Sequence, residues 1–139
     1  MMAINLSGKT ALVTGGGQGL GAATAGMLAQ AGANVAVNYF ADPDGVNRER
    51  AEQTAQRIGS RAMAVQADVR DGPQVEAMIG EIVRRFGRLD IVVNNAGIVC
   101  DRTLKKLSAE DWQAVIDTNL TGVYNVCKAA ADRLSDGGR

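Results

Sequence analysis

A glycine-rich stretch, Thr14–Gly21, is the part of the sequence best suited to chemistry, because it can hold a phosphate group. It follows the apolar residues 10–13 and leads into a helical pattern. Backbone N–H groups at the start of a helix attract anions, and glycines let a phosphate approach the backbone closely. The stretch fits G-x-G-x-x-G/A from Gly17 and the rarer T-G-x-x-x-G-x-G from Thr14. A tight turn without a ligand is the alternative interpretation of this stretch taken alone.

Three further polar motifs follow in the chain. Asp68-Val69 ends one apolar segment, residues 94–97 (Asn-Asn-Ala-Gly) close another, and Asn119 lies within a helical pattern. Because the carboxyl ends of parallel strands share one edge of a sheet, we expect Asp68 to end its strand on the ligand side of the sheet. Simpler interpretations exist, because Asn and Gly form turns and a helical Asn often faces solvent.

Tyr124 and Lys128 form a Y-x-x-x-K pair on the same predicted helix as Asn119. A lysine one helical turn away can position a tyrosine as a proton donor. The pair lies only five residues after Asn119, however, and we interpret Tyr124 as a packing residue and Lys128 as solvated.

Apolar segments alternate with helical patterns and position these motifs. The predicted strands are residues 9–13, 34–39, 62–67 and 89–93. Helices are predicted after the glycine-rich stretch up to Gly32, from about 48 to 58, from a cap at Asp71 to 86, and from a cap at Ser108 to about 134. The first helix has apolar residues at helical spacing, namely Leu20, Ala23, Met27, Leu28 and Ala31.

This alternation predicts an α/β fold of the Rossmann type, a doubly wound parallel sheet with helices on both faces. The strand order 3-2-1-4 fits, with a ligand crevice at the carboxyl ends beside the first strand. No linker or repeat interrupts residues 1–139, which therefore form one unit.

Composition excludes several classes of function. The chain of 139 residues has 15 basic and 15 acidic residues and no basic cluster, so we expect no nucleic acid partner. No apolar run is long enough to cross a membrane, and the N-terminus does not look like a signal peptide. Cys100 and Cys127 indicate free thiols in a reducing compartment, the cytoplasm. Histidine is absent, which excludes His-dependent catalysis and zinc sites, and we expect no metal.

In this order, Thr14–Gly21, Asp68-Val69, residues 94–97 and Asn119 resemble the short-chain dehydrogenase/reductase family, and within it the 3-oxoacyl-carrier-protein reductase branch. The resemblance implies a catalytic role for Asn119, which supports a bent helix and a proton-relaying water. It also implies that a dinucleotide is bound by Gly15, Gly17, Gln18, Gly19, Leu20, Gly21, Asp68, Val69, Asn95, Ala96 and Gly97.

The choice of dinucleotide depends on the end of the second strand, where an acidic residue binds the ribose hydroxyls of NAD. No acid stands there, and Asp42 and Asp44 come later, which we expect to be beyond reach. Neither Gln18 nor Phe40 is basic, although similar proteins that prefer NADP often have a base there, and Arg48 is the nearest base in sequence. The resemblance thus implies NADP(H) rather than NAD(H), with NAD(H) as the alternative.

In the family, the catalytic Ser, Tyr and Lys follow a fifth strand, and the sequence up to Arg139 does not match that region. We therefore expect an incomplete Rossmann domain of a homo-oligomeric enzyme that reduces a ketone, with a 3-oxoacyl thioester suggested by residues 101–104. A catalytically silent nucleotide-binding or interaction module is the alternative, and the spacing of Thr14–Gly21 disfavours an epimerase or dehydratase.

Two surfaces are expected to be incompletely covered. The fourth strand would have an open outer edge with unpaired backbone groups that favour association. The last helix would leave apolar residues partly exposed, namely Val115, Ile116, Leu120, Val123 and Cys127.

Overall fold

The computed structural model describes residues 4–139. The strands are β1 (Thr10–Val13), β2 (Asn34–Tyr39), β3 (Ala62–Gln66) and β4 (Ile91–Val93). The helices are α1 (Gly19–Gln30), α2 (Val46–Ile58), α3 (Gly72–Phe86), α4 (Ala109–Ile116) and α5 (Gly122–Ala131), with a π-helical turn at Asp117–Thr121. Within residues 4–139, none of the helices has the length and apolar character required to cross a membrane.

The four strands form one parallel sheet in the order β3-β2-β1-β4, which confirms the predicted fold class and strand order. Val13, the last residue of β1, pairs with Val37 of β2 on one side and Val93 of β4 on the other. The chain segments that leave β1 and β4 therefore start side by side at the same edge of the sheet.

Two apolar layers cover the sheet because alternate strand residues point to opposite faces. Leu12 and Ala36 join the layer under α3 and α5, whereas Val13, Val35 and Val37 join the layer under α1 and α2. In the first layer α3 contributes Val75, Met78, Ile79 and Ile82, each about 1 % exposed or less. Burial of one such side chain stabilises the fold by at most about 1.5–3 kcal/mol.

The buried side of α1 differs from the prediction. Ala25 and Ala29 pack against the sheet and Gly21 is buried against the preceding loop, while Leu20 is 81 % exposed and Met27 is 70 % exposed. Leu28, also in the predicted set, does pack against the layer under α1. The prediction was wrong for Leu20 and Met27, because the residues of α1 that approach the sheet most closely are small.

Side-chain caps start two helices as predicted. The Asp71 carboxylate accepts the Gln74 backbone N–H at 3.1 Å, and the Ser108 hydroxyl accepts that of Asp111 at 3.0 Å. Helix α2 begins at Val46 rather than near Arg48, because the Asp42 carboxylate accepts two backbone N–H groups of its first turn.

The predicted last helix is not continuous. A π-helical turn separates α4 from α5, and an extra residue in a turn shifts the face that each helix presents. Trp112 and Leu120 are 57 % and 63 % exposed, and Val115, Ile116, Val123 and Cys127 are half-buried or exposed. The expectation of a partly exposed apolar side is therefore confirmed.

The outer edge of β4 is not fully open, and that prediction was wrong at Val92. The Val92 N–H donates to the Arg139 carbonyl at 2.9 Å, and the Arg139 N–H donates to the Asp90 carbonyl at 2.9 Å. This is the hydrogen-bond pattern of parallel strands, so Arg139 lies alongside β4 as a neighbouring strand would.

A buried carboxylate joins β1 to the start of β4 at the edge opposite the predicted crevice. Asp90 is 4 % exposed and accepts hydrogen bonds from the Thr10 N–H at 2.9 Å and from the Arg88 guanidinium at 2.6 and 2.7 Å. The Lys9 ammonium lies 3.6 Å away. The Arg88 guanidinium, helped by the Thr10 N–H, holds the pKa of the Asp90 carboxyl below its usual value.

We expect Asp90→Asn to lower the free energy of unfolding at neutral pH by about 1–3 kcal/mol, because charge-assisted hydrogen bonds to a buried group are lost. Since the folded-state pKa of Asp90 is depressed, its contribution is present above the unfolded value of about 3.9 and is lost as the pH falls through the folded value. Urea denaturation at several pH values measures this, with Glu52→Gln in the exposed Arg48–Glu52 pair as control. A pH-independent difference, or an equal effect in the control, would contradict the role of Asp90.

Candidate functional site

A cleft of about 500 Å³ opens at the carboxyl ends of the strands, between α1, α2 and the segments that follow β3 and β4. Most of the predicted site residues line it, namely Gly15, Gly17, Gln18, Leu20, Gly21, Asp68, Val69, Asn95, Ala96 and Gly97. Gly19 and Asn119 do not line the cleft wall. Residues that the sequence did not indicate also line it, among them Asn38, Tyr39, Phe40, Asn47, Arg50, Arg70, Ile98 and Thr118.

The glycines between β1 and α1 serve different purposes. Gly15 and Gly19 have φ angles of +60° and +52°, which L side chains rarely adopt. A Cβ on Gly21 would lie 2.3 Å from the Gly15 carbonyl oxygen, so Gly21 allows α1 to pack against its own loop. A Cβ on Gly19 would meet nothing within 4 Å, which leaves the backbone there open to a ligand.

Thr14 and Asn95 connect the glycine-rich loop to the segment after β4. The Thr14 hydroxyl accepts the backbone N–H groups of Asn95 and Ala96, each at 3.0 Å. The Asn95 side-chain amide donates to the carbonyls of Thr14 and Gly15 at 3.0 and 3.1 Å. The Asn95 side chain is thus engaged with the loop, and we call these four hydrogen bonds the Thr14–Asn95 link.

Asn38 is a buried polar residue at the end of β2 that the sequence analysis did not select. Its side-chain oxygen accepts the Gly15 N–H at 3.2 Å, and its amide donates to the Ala67 carbonyl at 3.1 Å. Asn38 therefore ties the glycine-rich loop to the end of β3. An Asn within an otherwise apolar strand was the available sequence signal.

Asp68 is paired with Arg70 and not free. The Arg70 guanidinium donates to both carboxylate oxygens, with the shortest contact 2.7 Å from Nη2 to Oδ2. Hydrogen bonds from the Arg70 side chain hold the pKa of Asp68 below its usual value. The Arg70 guanidinium carbon also lies 5.4 Å from the centre of the Phe40 ring, so three side chains form one wall of the cleft.

The basic residue at the α2 side of the cleft is Arg50, not Arg48. Arg50 lines the cleft with Asn47 and donates a hydrogen bond to the Gln18 side chain, whereas Arg48 pairs with Glu52 at 2.7 Å. Asp42 is used as a cap: its carboxylate accepts the backbone N–H of Asn47, which lowers its pKa, as does the N–H of Val46.

Asn119 lies in the π-helical turn and holds the segment after β4. Its side-chain oxygen accepts the Ile98 N–H and its amide donates to the Ile98 carbonyl, both at 2.9 Å. A Cβ on Gly97 would lie 3.2 Å from the Asn119 oxygen, so a larger residue there would require Asn119 to shift slightly. Asn119 is therefore a residue that positions residues 97 and 98 beside the cleft.

Tyr124 and Lys128 lie outside the cleft lining. The Lys128 ammonium is 3.2 Å from the Tyr124 hydroxyl, and both side chains are exposed. The interpretation of Lys128 as solvated is confirmed, but the prediction that Tyr124 packs is wrong, since its side chain is 59 % exposed and contacts Lys128.

Comparison with known proteins supports this architecture. The family model described as short chain dehydrogenase matches residues 9–139. The chain is 44 % identical over 129 residues to the 3-oxoacyl-[acyl-carrier-protein] reductase FabG of Staphylococcus aureus, covering 91 % of this chain and 50 % of that protein. It is 43 % identical to the hydroxynaphthalene reductase arp2 of Aspergillus fumigatus, covering 96 % of this chain and 48 % of that protein.

A solved structure is similarly close. The short chain dehydrogenase from Burkholderia cenocepacia J2315 in complex with NADP superposes with a TM-score of 0.88 at 42 % identity, covering 97 % of this chain and 54 % of that one. The chain thus spans about half the length of the relatives it matches.

The parallel sheet, the glycine-rich loop and the cleft at the carboxyl edge define an α/β domain of the Rossmann type. Within that class, the chain belongs to the short-chain dehydrogenase family.

The Thr14–Asn95 link gives a test of the site's construction. We expect Thr14→Val to destabilise the fold by about 1–3 kcal/mol, because two backbone N–H groups lose their acceptor. Amide exchange of Asn95 and Ala96 should accelerate together. Thr10→Val, at the start of the strand that Thr14 follows, is the matched control, since the buried Thr10 hydroxyl has no partner within residues 4–139.

The control should be neutral or stabilising, because it removes an unsatisfied polar atom. Equal losses of stability in both variants, measured by urea denaturation, would show that the Thr14 hydroxyl has no special role.

Proposed function

We propose that this chain binds NADP(H) as the cofactor-binding part of a reductase that converts a ketone to an alcohol. The observation that carries the proposal is the cleft itself, which joins an open glycine-rich loop to the ends of three strands. Similarity to a family whose structures include an NADP complex supports it. The bound dinucleotide would supply the hydride, and the protein would orient it.

The start of α1 fits a pyrophosphate. Gln18 precedes the helix without a side-chain cap hydrogen bond, and the first turn contains no acidic residue. The first backbone N–H groups of the helix therefore remain for an anion, and the helix dipole favours one. We propose that Gly15, Gly17, Gln18, Gly19, Leu20 and Gly21 hold this part of the cofactor.

The two ends of the cleft suit the two nucleosides. We propose that Asp68 and Val69 hold the adenine, and that Asn95, Ala96 and Gly97 face the nicotinamide ribose, as family resemblance implies. The Thr14–Asn95 link and the Asn119–Ile98 hydrogen bonds fix the backbone of residues 95–98 before any ligand arrives. Such preorganisation lowers the cost of binding. We retain Asn119 as a catalytic residue of the complete site.

The charge on the cleft wall supports NADP(H) over NAD(H). Asp42 caps α2 and Asp68 is paired with Arg70, so neither carboxylate is free to receive ribose hydroxyls. Arg50 makes no ion pair with a carboxylate within residues 4–139, and its guanidinium lines the cleft beside Asn47. A 2′-phosphate on Arg50 would form the charge-assisted contact that an arginine fork suits best.

Several further features of the proposal concern the complete protein. We propose that residues 1–139 act as one dinucleotide-binding unit of a longer, cytoplasmic homo-oligomer, because the relatives are about twice as long and apolar side chains of α4 and α5 are exposed. The relative's name suggests a 3-oxoacyl thioester as the substrate.

The glycine-rich loop is tested by Gly19→Asn. Asn tolerates a positive φ, so the fold should persist, while the new side chain occupies the open space above the loop. We expect the Kd for NADPH, measured by isothermal titration calorimetry, to rise by at least about tenfold, which corresponds to 1.4 kcal/mol. Gly26→Ala, in the middle of α1 with open space around it, is the control and should bind NADPH normally. An unchanged Kd in Gly19→Asn would reject the loop as the phosphate site.

Cofactor preference is tested by Arg50→Gln. We expect a rise of about tenfold in the Kd for NADPH, with that for NADH nearly unchanged, because only NADPH has the 2′-phosphate. Arg48→Gln is the matched control, since Arg48 lies on the same helix and pairs with Glu52. If both variants weaken NADPH binding equally, general charge rather than Arg50 determines the preference.

A further inference from the structure

We propose that Arg70 sets the nucleobase preference of the cleft: by pairing with Asp68, it makes the base end accept a 6-oxopurine nearly as well as a 6-aminopurine. This inference rests on the proposed function, because it concerns the part of the cleft that would hold the adenine. It differs from that proposal in concerning discrimination between bases and not dinucleotide binding itself.

The acceptor sites of Asp68 are already in use. Its Oδ1 accepts the Arg70 backbone N–H at 3.0 Å and the Arg70 Nε at 2.9 Å. Its Oδ2 accepts Nε at 3.1 Å and Nη2 at 2.7 Å. A carboxylate has about four lone-pair sites, so little capacity remains for an amino group of a base.

Arg70 is held in this position from two directions. The chelating contacts with Asp68 fix the guanidinium edge, and the Phe40 ring lies 5.4 Å from the guanidinium carbon. Both Arg70 and Phe40 line the cleft. Within residues 4–139, the Arg70 Nη1 group makes no hydrogen bond, so its N–H groups are available to an acceptor on a ligand.

The chemistry of the two bases then decides the outcome. The 6-amino group of adenine is a donor, and a carboxylate without a partner would bind it and repel the 6-oxo group of hypoxanthine. In the Asp68–Arg70 pair the carboxylate is already engaged, so a donor at the 6-position gains little from it. An acceptor at the 6-position can instead receive a hydrogen bond from the Nη1 group of Arg70. The pair therefore discriminates weakly between the two bases.

The experiment compares NADPH with its hypoxanthine analogue, reduced nicotinamide hypoxanthine dinucleotide phosphate, by isothermal titration calorimetry. The readout is the Kd of the hypoxanthine analogue divided by the Kd of NADPH. The contributions of contacts to the phosphates, riboses and nicotinamide cancel in this ratio, because both ligands share these groups. We expect the two Kd values of the wild-type chain to agree within about threefold. In Arg70→Met the ratio should rise by at least about fivefold, because the 6-amino group of NADPH would form a strong hydrogen bond with the freed Asp68 carboxylate. Arg84→Met removes an equivalent exposed charge from α3, away from the cleft, and should retain the wild-type ratio.

A change in the ratio smaller than about fivefold between wild type and Arg70→Met overturns the inference. If Arg70→Met binds neither NADPH nor its hypoxanthine analogue, the inference is also overturned, because Arg70 would then hold the base itself. Failure of the wild-type chain to bind either dinucleotide is a different result, which rejects the proposed function and the inference with it. Arg70 is exposed, so the substitution leaves the core intact.

Discussion

The Thr14–Asn95 link is the interaction on which the site depends. It joins residues 81 positions apart in the sequence and uses one hydroxyl and one amide to fix four backbone groups. Parallel pairing of Val13 with Val93 brings the two segments to the same edge, but pairing alone does not determine how they leave the sheet. The Thr14–Asn95 link fixes the direction in which these two segments leave the sheet. The two segments in turn form the floor of the cleft.

Charges around the cleft are arranged by the protein's own structural needs. Asp42 starts α2, Asp68 is paired with Arg70, and Asp90 lies at the opposite end of the strands. Asp42 and Asp68 are thus both engaged by the protein itself, while Arg50 lines the cleft without an ion pair in the described part of the chain. The cleft therefore favours anions without a separate cluster of basic residues.

Much of the fold could be predicted from the sequence because local signals and packing agree. Alternating segments predicted the strand order, and caps such as Asp71 fixed helix starts. The errors arose where tertiary packing overrides local pattern. Close packing of α1 excludes Leu20 and Met27 from the sheet. Local sequence pattern did not show the π-helical turn at Asn119, although the family resemblance implied a bent helix there.

The sequence predicted those residues of the candidate site that belong to motifs at the ends of strands. Residues that approach the cleft from elsewhere, such as Arg50 on α2, were missed because helical spacing does not show which exposed side chain faces a cleft. Arg70 was missed for a related reason: its pairing with Asp68 depends on side-chain rotamers rather than sequence distance.

The small-residue face of α1 constrains how this protein can change over evolutionary time. Ala25 and Ala29 hold the helix axis close to the sheet, and a larger side chain at either position would lift the whole helix. The N-terminus of α1 would move with it, away from the loop that Gly21 lets it touch. Substitutions are therefore tolerated on the outer face, where Met27 lies, and restricted on the inner face. A helix that exposes Met27 on its outer face can thus acquire new surface partners without disturbing its N-terminal end.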